Sequence, residues 1–88
     1  MTSVRRGLTG LHTAENKRLM ARLVDARHAA SLSQYQLADR LGVDQSYVSK
    51  YESCRRRLDV IEFLKVVAAL GADPAELLAD LDVPKLQP

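Results

Sequence analysis

Apolar residues recur three or four positions apart along most of the chain, which is the spacing of one face of an α-helix. The first such stripe is formed by Leu19, Leu23, Ala26 and Ala30. It predicts a helix that begins after Thr13, whose hydroxyl can accept a hydrogen bond from a free amide of the first turn. No segment shows the alternation of apolar and polar residues that is typical of a β-strand.

Start and stop signals divide the rest of the chain into four further helices. The start signals are the capping-box pairs Ser33/Gln36 and Asp59/Glu62, the cap Asp44, and the step Asp73-Pro74. Gly42 and Gly71 are stop signals, because glycine readily adopts the left-handed conformation that ends a helix. The predicted helices cover residues 33–41, 44–53, 59–70 and 73–81. An all-α, compact five-helix bundle is therefore the expected fold class.

The predicted domain occupies residues 13–82. Residues 1–12 contain Arg5, Arg6 and two glycines but no helical periodicity, so we expect a mobile N-terminal arm. Residues 83–88 contain two prolines and are predicted to form a short C-terminal tail. At 88 residues, the chain is long enough for one domain and too short for two.

The second and third predicted helices are joined by the tight turn Gly42-Val43, which makes residues 33–53 a helix-turn-helix. Six residues of this motif are spaced at offsets of 0, 4, 8, 11, 14 and 18: Gln34, Ala38, Gly42, Gln45, Val48 and Glu52. We expect Ala38 to be small because the two helices cross close to it. We expect Val48 to fill the angle between the helices.

Two glutamines of this motif stand where a side chain can contact DNA. Gln34 lies at a helix N-terminus, where free amides and the helix dipole favour a phosphate. Gln45 lies at the start of the second helix, the end that enters the major groove in helix-turn-helix proteins. A glutamine amide placed there can bond adenine N6 and N7 together.

The charges are distributed unevenly although the net charge is only +2. Residues 1–57 hold 11 Lys or Arg against 5 Asp or Glu, whereas residues 58–88 hold 2 against 6. A basic front and an acidic back indicate that one face of the domain binds a polyanion.

These segments together resemble the XRE-type family of helix-turn-helix DNA-binding domains, which includes phage repressors and Cro. The resemblance covers about residues 19–78 and includes Leu-Ser-Gln at 32–34, Leu-Ala-Asp-Arg-Leu-Gly-Val at 37–43, Tyr-Glu at 51–52 and the arginine run at 55–57. It implies a five-helix bundle whose third helix reads DNA bases. This sequence departs from the family pattern at three positions. Ser31 stands where Gly is usual, Cys54 where Gly or Asn is usual, and Leu58 where Pro is usual. We therefore expect a less regular end to the first helix and an altered arginine loop.

The resemblance also implies a role for individual residues. Base contacts are expected from Gln45, Ser46 and Lys50, with Tyr47 at the flank of the groove. Phosphate contacts are expected from Ser33, Gln34, Ser49, Arg55, Arg56 and Arg57. Arg27 and Glu52 match an internal ion pair that ties the first helix to the recognition helix.

The function that these residues predict is a sequence-specific DNA-binding transcriptional regulator, most simply a dimeric repressor that occludes a promoter. Apolar residues near the C-terminus are candidates for the dimer surface: Leu77, Leu78, Leu81, Val83 and Leu86. The alternative is an antitoxin that binds both a toxin and its own promoter, with the arm or the tail as the toxin-binding surface. A third class is an RNA-binding or pure protein-interaction module. RNA is disfavoured because the major groove of A-form RNA does not admit a helix and the four aromatic residues form no stacking platform. A pure interaction module would leave Gln45 and Lys50 without a role.

Several other classes are disfavoured by composition. One cysteine and two histidines allow neither an intrachain disulfide nor a zinc quartet, so no cofactor is expected. The longest aliphatic run, residues 66–70, is too short for a membrane span, and no secretory signal is present, so a cytoplasmic, nucleoid-associated location is predicted. No phosphate-binding glycine loop or catalytic triad is present, so an enzyme is not expected.

Overall fold

The described part of the chain, residues 11–79 and 81 of a computed structural model, forms an all-α bundle. Its helices are α1 (Ala14–Ala29), α2 (Gln34–Leu41), α3 (Gln45–Glu52), α4 (Val60–Leu70) and α5 (Pro74–Leu78). No strand occurs among these residues. The predicted five-helix, all-α fold class is therefore confirmed.

Side-chain caps hold the beginnings of four of the helices. Thr13 accepts a hydrogen bond from the backbone amide of Asn16, and Asp73 accepts one from Ala75. The capping boxes predicted at Ser33 and Asp59 are both complete, with reciprocal bonds to Gln36 and Glu62. Asp44 occupies the cap position before α3 as predicted, but its side chain makes no capping bond.

Helices α1 to α4 all end in the same way, at a residue with a left-handed backbone. These residues are Ser31, Gly42, Cys54 and Gly71, with φ between 59° and 72°. After α1, the Ser31 amide donates to the His28 carbonyl (2.9 Å) and the Leu32 amide donates to the Arg27 carbonyl (3.1 Å), which is a regular Schellman motif. The expectation of a less regular end to this helix was wrong, because Ser31 takes the conformation that glycine usually supplies.

Cys54 forms the corresponding end of α3. Its amide donates to the Tyr51 carbonyl at 3.1 Å, and the amide of Arg55 donates to the Lys50 carbonyl at 2.8 Å. The Cys54 side chain is buried, with its Sγ 3.9 Å from Nδ2 of Asn16. The arginine loop therefore leaves α3 in a defined direction although no glycine is present.

Helix α5 is shorter than predicted. It ends at Leu78 rather than near Leu81, because the amides of Ala79 and Leu81 bond carbonyls only three residues earlier, those of Glu76 and Leu78. This tighter turn replaces the α-helical hydrogen-bonding pattern at the end of the helix.

The core lies where α1 packs against α3, α4 and α5, and where α2 packs against α3 and α4. Its fully buried side chains are Leu23, Leu37, Val48, Tyr51, Val66 and Val67. Val48 and Ala38 are both buried, as the packing of the helix-turn-helix requires. The core thus holds α2 and α3 at a fixed angle and leaves the opposite side of α3 exposed.

Parts of the predicted arm, tail and dimer surface lie outside the described residues. These parts are residues 1–10 with Arg5 and Arg6, and residues 82–88 with Val83 and Leu86. Leu77, predicted at the dimer surface, belongs instead to the core, because it is the buried residue of α5 and is only 9% exposed. Leu78 is 45% exposed and Leu81 is half-buried.

Replacing Ser31 with glycine should stabilise the domain. Ser31 is exposed and has a φ of 59°, so glycine removes left-handed backbone strain without loss of a core contact. We expect Ser31→Gly to raise the free energy of unfolding by roughly 0.5–1 kcal/mol, after the greater entropy of glycine in the unfolded chain is subtracted. Urea denaturation measures this change.

The matched control is Gly42→Ala at the end of α2. No atom lies within 4 Å of the added Cβ, so its cost is backbone strain alone, about 1–2 kcal/mol. A destabilised Ser31→Gly variant would contradict the strain argument.

Candidate nucleic-acid interface

The exposed side of α3 and the loop that follows it form one concave surface. It is lined by Gly42, Val43, Asp44, Ser46, Tyr47, Lys50, Arg55 and Arg56. We call this surface the basic concavity. Lys50 and Arg55 are exposed there, and Asp44 is the single carboxylate among its lining residues. The balance of charge therefore favours an anionic ligand.

The predicted DNA contacts fall into two groups. Ser46, Tyr47, Lys50, Arg55 and Arg56 are brought together in the basic concavity. The others lie beside it: Ser33 at the cap of α2, Gln34 and Gln45 bonded to each other, Ser49 half-buried on α3, and Arg57 exposed in the loop. Contact of these residues with DNA stays a prediction.

Arg27 and Glu52 form an ion pair between α1 and the end of α3. Nε of Arg27 donates to Oε2 of Glu52 at 2.7 Å, and Nη2 donates to Oε1 at 3.1 Å. The two side chains are only 9% and 6% exposed, and Nη1 of Arg27 also donates to the Leu32 carbonyl at 2.9 Å. Because the geometry is bidentate and shielded from water, this pair fixes the position of α3 against the bundle.

Two glutamines extend this ion pair to the beginning of α3. Nε2 of Gln34 donates to Oε1 of Glu52 at 2.8 Å, and Nε2 of Gln45 donates to Oε1 of Gln34 at 2.7 Å. A continuous series of hydrogen bonds therefore runs from Arg27 in the core to Gln45. It sets the orientation of the Gln45 amide and leaves its Oε1 and one Nε2 hydrogen for another partner.

The side chain of Gln34 is turned toward Glu52 rather than away from the domain. Within the described residues, the backbone amides of Gln34 and Tyr35 donate to no acceptor, as is usual in the first turn of a helix. The beginning of α2 therefore offers an anion two backbone amides, together with the exposed hydroxyl of Ser33.

Arg56 is held beside α3 by several contacts. Its guanidinium lies 4.4 Å from the centroid of the Tyr47 ring. Its Nη1 and Nη2 donate to the two carboxylate oxygens of Glu62 at 3.2 and 3.0 Å. Tyr47 in turn packs edge-on against the buried ring of Tyr51, with 5.9 Å between the centroids. This stack connects the arginine loop to the core.

The ionisation of this cluster follows from its contacts. The hydrogen bonds from Arg56 and then from the Asp59 amide lower the pKa of Glu62 to about 2, so this carboxylate stays charged near neutral pH. Bonding to Glu62 raises the pKa of Arg56. Burial, followed by the charge of Glu62, raises the pKa of the Tyr47 hydroxyl.

Two features of this site were not predicted from the sequence. Glu62 was predicted only as part of a capping box, yet the same carboxylate pairs with Arg56 six residues earlier. Gln34 and Gln45 were predicted as separate DNA contacts, yet they bond each other. The angle between the two helices of a helix-turn-helix, combined with the spacing of 11 residues, was the signal from which contact between the two amides could have been predicted.

The comparisons with known proteins agree with this geometry. A helix-turn-helix family profile matches residues 23–77. The chain belongs to the XRE-type helix-turn-helix family. The domain is therefore of the kind found in DNA-binding regulators. The family is one of regulators rather than of enzymes. Among curated proteins, none matches the chain significantly.

Three solved structures illustrate the XRE-type fold. An XRE-family like protein from Pseudomonas syringae pv. tomato is 42% identical, over 92% of this chain and 94% of that one, with a TM-score of 0.76. The restriction-modification controller protein C.AhdI from Aeromonas hydrophila is 37% identical over 74% and 98%, with a TM-score of 0.68. The clp gene regulator ClgR from C. glutamicum is 27% identical over 76% and 86%, with a TM-score of 0.70.

The described residues offer neither a membrane span nor a metal site. No helix among them has the length and apolar character needed to cross a bilayer. No three of their His, Cys, Asp or Glu side chains are grouped so that they could bind one metal ion.

Removing Arg27 should strongly destabilise the domain. Arg27→Met leaves the carboxylate of Glu52 buried without its counter-charge, so we expect a loss of about 3–5 kcal/mol in the free energy of unfolding. Chemical denaturation at low temperature measures the loss.

The double variant Arg27→Met/Glu52→Gln is the control, since it removes both charges and keeps an amide that can bond Gln34. It should recover a large part of the stability. If it were as unstable as Arg27→Met alone, the lost contacts of Arg27 rather than the unpaired charge would explain the effect.

Proposed function

We propose that the protein is a sequence-specific transcriptional repressor that inserts α3 into the major groove of its operator. The observation that carries this proposal is the basic concavity, formed by the exposed side of α3 and the loop after it on a bundle of the XRE type. A repressor needs only occupancy of its site, because a bound domain excludes other proteins from a promoter. The proposed place of action is accordingly the nucleoid in the cytoplasm.

Base reading is assigned to four residues of α3. Gln45 is oriented by Gln34 and keeps the donor and the acceptor that match adenine N7 and N6. Ser46 and Lys50 are exposed on the same side of the helix, where Lys50 can bond guanine O6 or N7. Tyr47 lies at the flank and can contact a thymine methyl or a sugar.

Phosphate binding is assigned to both sides of α3. On the α2 side, the Ser33 hydroxyl and the amides of Gln34 and Tyr35 form one anchor. On the other side, Ser49 and the arginine loop formed by Arg55, Arg56 and Arg57 form the second. Contacts of this kind fix the register of the helix in the groove and carry no sequence information themselves.

A homodimer is the assembly we propose on DNA. Helix α4 exposes Val60, Ile61 and Leu64 to 71%, 60% and 43%, and Leu78 of α5 is exposed to 45%. We call these four residues the apolar face. It begins three residues after Arg57, so a dimer joined through this face would hold both arginine loops close to its interface. Two recognition helices about 34 Å apart would then read a near-palindromic operator.

The antitoxin alternative keeps the same DNA-binding surface and adds a toxin as a protein partner. A small reading frame next to the gene that encodes a toxin would favour it. The arm or the tail would then supply the toxin-binding surface, whereas divergent or phage-like neighbouring genes would favour the plain repressor.

Replacing Gln45 with alanine should reduce discrimination between DNA sequences. On the duplex upstream of the gene, Gln45→Ala should narrow the preference over a scrambled duplex by about 1–3 kcal/mol, because one bidentate base contact is lost. Arg55→Ala should weaken binding to both duplexes equally and flatten the slope of log K against log salt by about 0.9. Fluorescence anisotropy from 50 to 300 mM salt measures both effects.

Arg40→Ala is the matched control for loss of a positive charge. Nη1 of Arg40 bonds the carbonyl of Ala69 near the C-terminal end of α4, whereas the basic concavity adjoins the N-terminal end. Arg40→Ala should therefore leave the slope of log K against log salt nearly unchanged. Equal losses for Gln45→Ala on the two duplexes would contradict base reading by α3.

Introducing a charge on the apolar face should disrupt the dimer. Ile61→Asp places a carboxylate within the apolar face, so light scattering at micromolar concentration should show a shift from dimer to monomer. Ala21→Glu, on the exposed surface of α1 beside Lys17 and Asp25, is the control and should remain dimeric. A strictly monomeric wild-type protein, both free and on DNA, would refute the proposed dimer.

A further inference from the structure

Arg56 lines the basic concavity, but part of its guanidinium already has a partner. Nη1 and Nη2 bind the Glu62 carboxylate side by side, and Nη1 also donates to the Arg57 carbonyl at 2.7 Å. The Tyr47 ring covers one face of the guanidinium. Within the described residues, no acceptor receives a hydrogen bond from Nε of Arg56.

Glu62 is itself held in place independently of Arg56. Its Oε1 accepts a hydrogen bond from the backbone amide of Asp59 at 2.9 Å, as part of the capping box of α4. The carboxylate also lies in the first turn of α4, where the helix dipole favours a negative charge. The position of the Glu62 carboxylate therefore does not depend on its hydrogen bonds to Arg56.

The carboxylate of Glu62 engages Arg56 in the way a phosphate would. Arginine binds carboxylates and phosphates through the same pair of parallel N–H groups. The two side chains are 36% and 29% exposed, so the pair lies at the surface that DNA would approach. While it persists, Arg56 adds no net charge to the basic concavity.

We propose that Glu62 restrains Arg56: by occupying the Nη1–Nη2 edge of the guanidinium, it withholds that edge from DNA phosphates and lowers the affinity of the protein for DNA of any sequence. This inference rests on the proposed DNA-binding function. It assigns to the Glu62 carboxylate a role that opposes DNA binding. Non-specific attraction then depends on Lys50, Arg55 and Arg57, and the phosphate contact proposed for Arg56 forms only when its hydrogen bonds to Glu62 break. A protein with weaker non-specific binding is distributed over fewer competing sites.

The test variant is Glu62→Gln, which removes the charge and retains a side chain that can complete the capping box. Its binding to a scrambled 20-base-pair duplex would be measured by fluorescence anisotropy from 50 to 300 mM potassium chloride. We expect binding about three- to tenfold tighter than wild type at 50 mM, and a salt slope steeper by about 0.9, because one more phosphate is neutralised.

Two further variants separate restraint of Arg56 from a general change in charge. In the Arg56→Ala background, Glu62→Gln should have no further effect on the salt slope. Asp59→Asn removes a charge three residues away while keeping a good cap, and it should change the affinity much less. Circular dichroism and thermal unfolding would verify that each variant is folded.

The outcomes distinguish this inference from the proposed function. Equal or weaker binding by Glu62→Gln, tightening that persists without Arg56, or an equal effect of Asp59→Asn would each overturn the restraint. A folded wild-type protein that binds neither the upstream nor the scrambled duplex at 50 mM salt would instead overturn the proposed function.

Discussion

The geometry of the proposed DNA-binding surface depends on two opposite charges that are almost fully shielded from water. Arg27 on α1 and Glu52 at the end of α3 meet in a bidentate ion pair, and the carboxylate also receives the amide of Gln34. Burying either charge without the other would cost free energy of folding, so the two residues are required together. The pair specifies one arrangement of α3 against the bundle, where apolar contacts alone would tolerate small rotations. The amide of Gln45 takes its orientation from this arrangement.

The fold could be predicted from the sequence because its signals are local. Caps such as Ser33 and Asp59 and the stops at Gly42 and Gly71 act within four residues, and apolar periodicity assigns the buried faces. Side-chain partners across the fold were harder to predict. The bond between Gln34 and Gln45, and the pairing of Arg56 with Glu62, depend on how helix ends approach one another. Helix α5 ended early and Leu77 joined the core for the same reason, since packing at the end of the bundle is not encoded in periodicity.

Opposing charges shape the surface beside α3. Lys50 and Arg55 are exposed, with Nε of Arg55 donating to the Ser53 hydroxyl, whereas Arg56 contacts Tyr47, Glu62 and the backbone. The acidic second half of the chain therefore does more than balance the net charge, because its α4 N-terminus approaches the arginine loop directly. A domain that reads bases must avoid excessive attraction to the phosphate backbone common to all DNA. The arrangement of the arginine loop suits that requirement.

The left-handed residues at the ends of α1 to α4 also bear on how the chain folds. They reverse its direction within a few residues. Among the described helices, α2 and α3 are the consecutive pair with extensive contact, whereas α1 packs against α3, α4 and α5, and α2 packs against α4. Most contacts nevertheless join residues that are close in the sequence, within helices and their turns. Helical domains with such local contacts fold in microseconds to milliseconds. A newly synthesised copy can thus become competent for its partner soon after it leaves the ribosome.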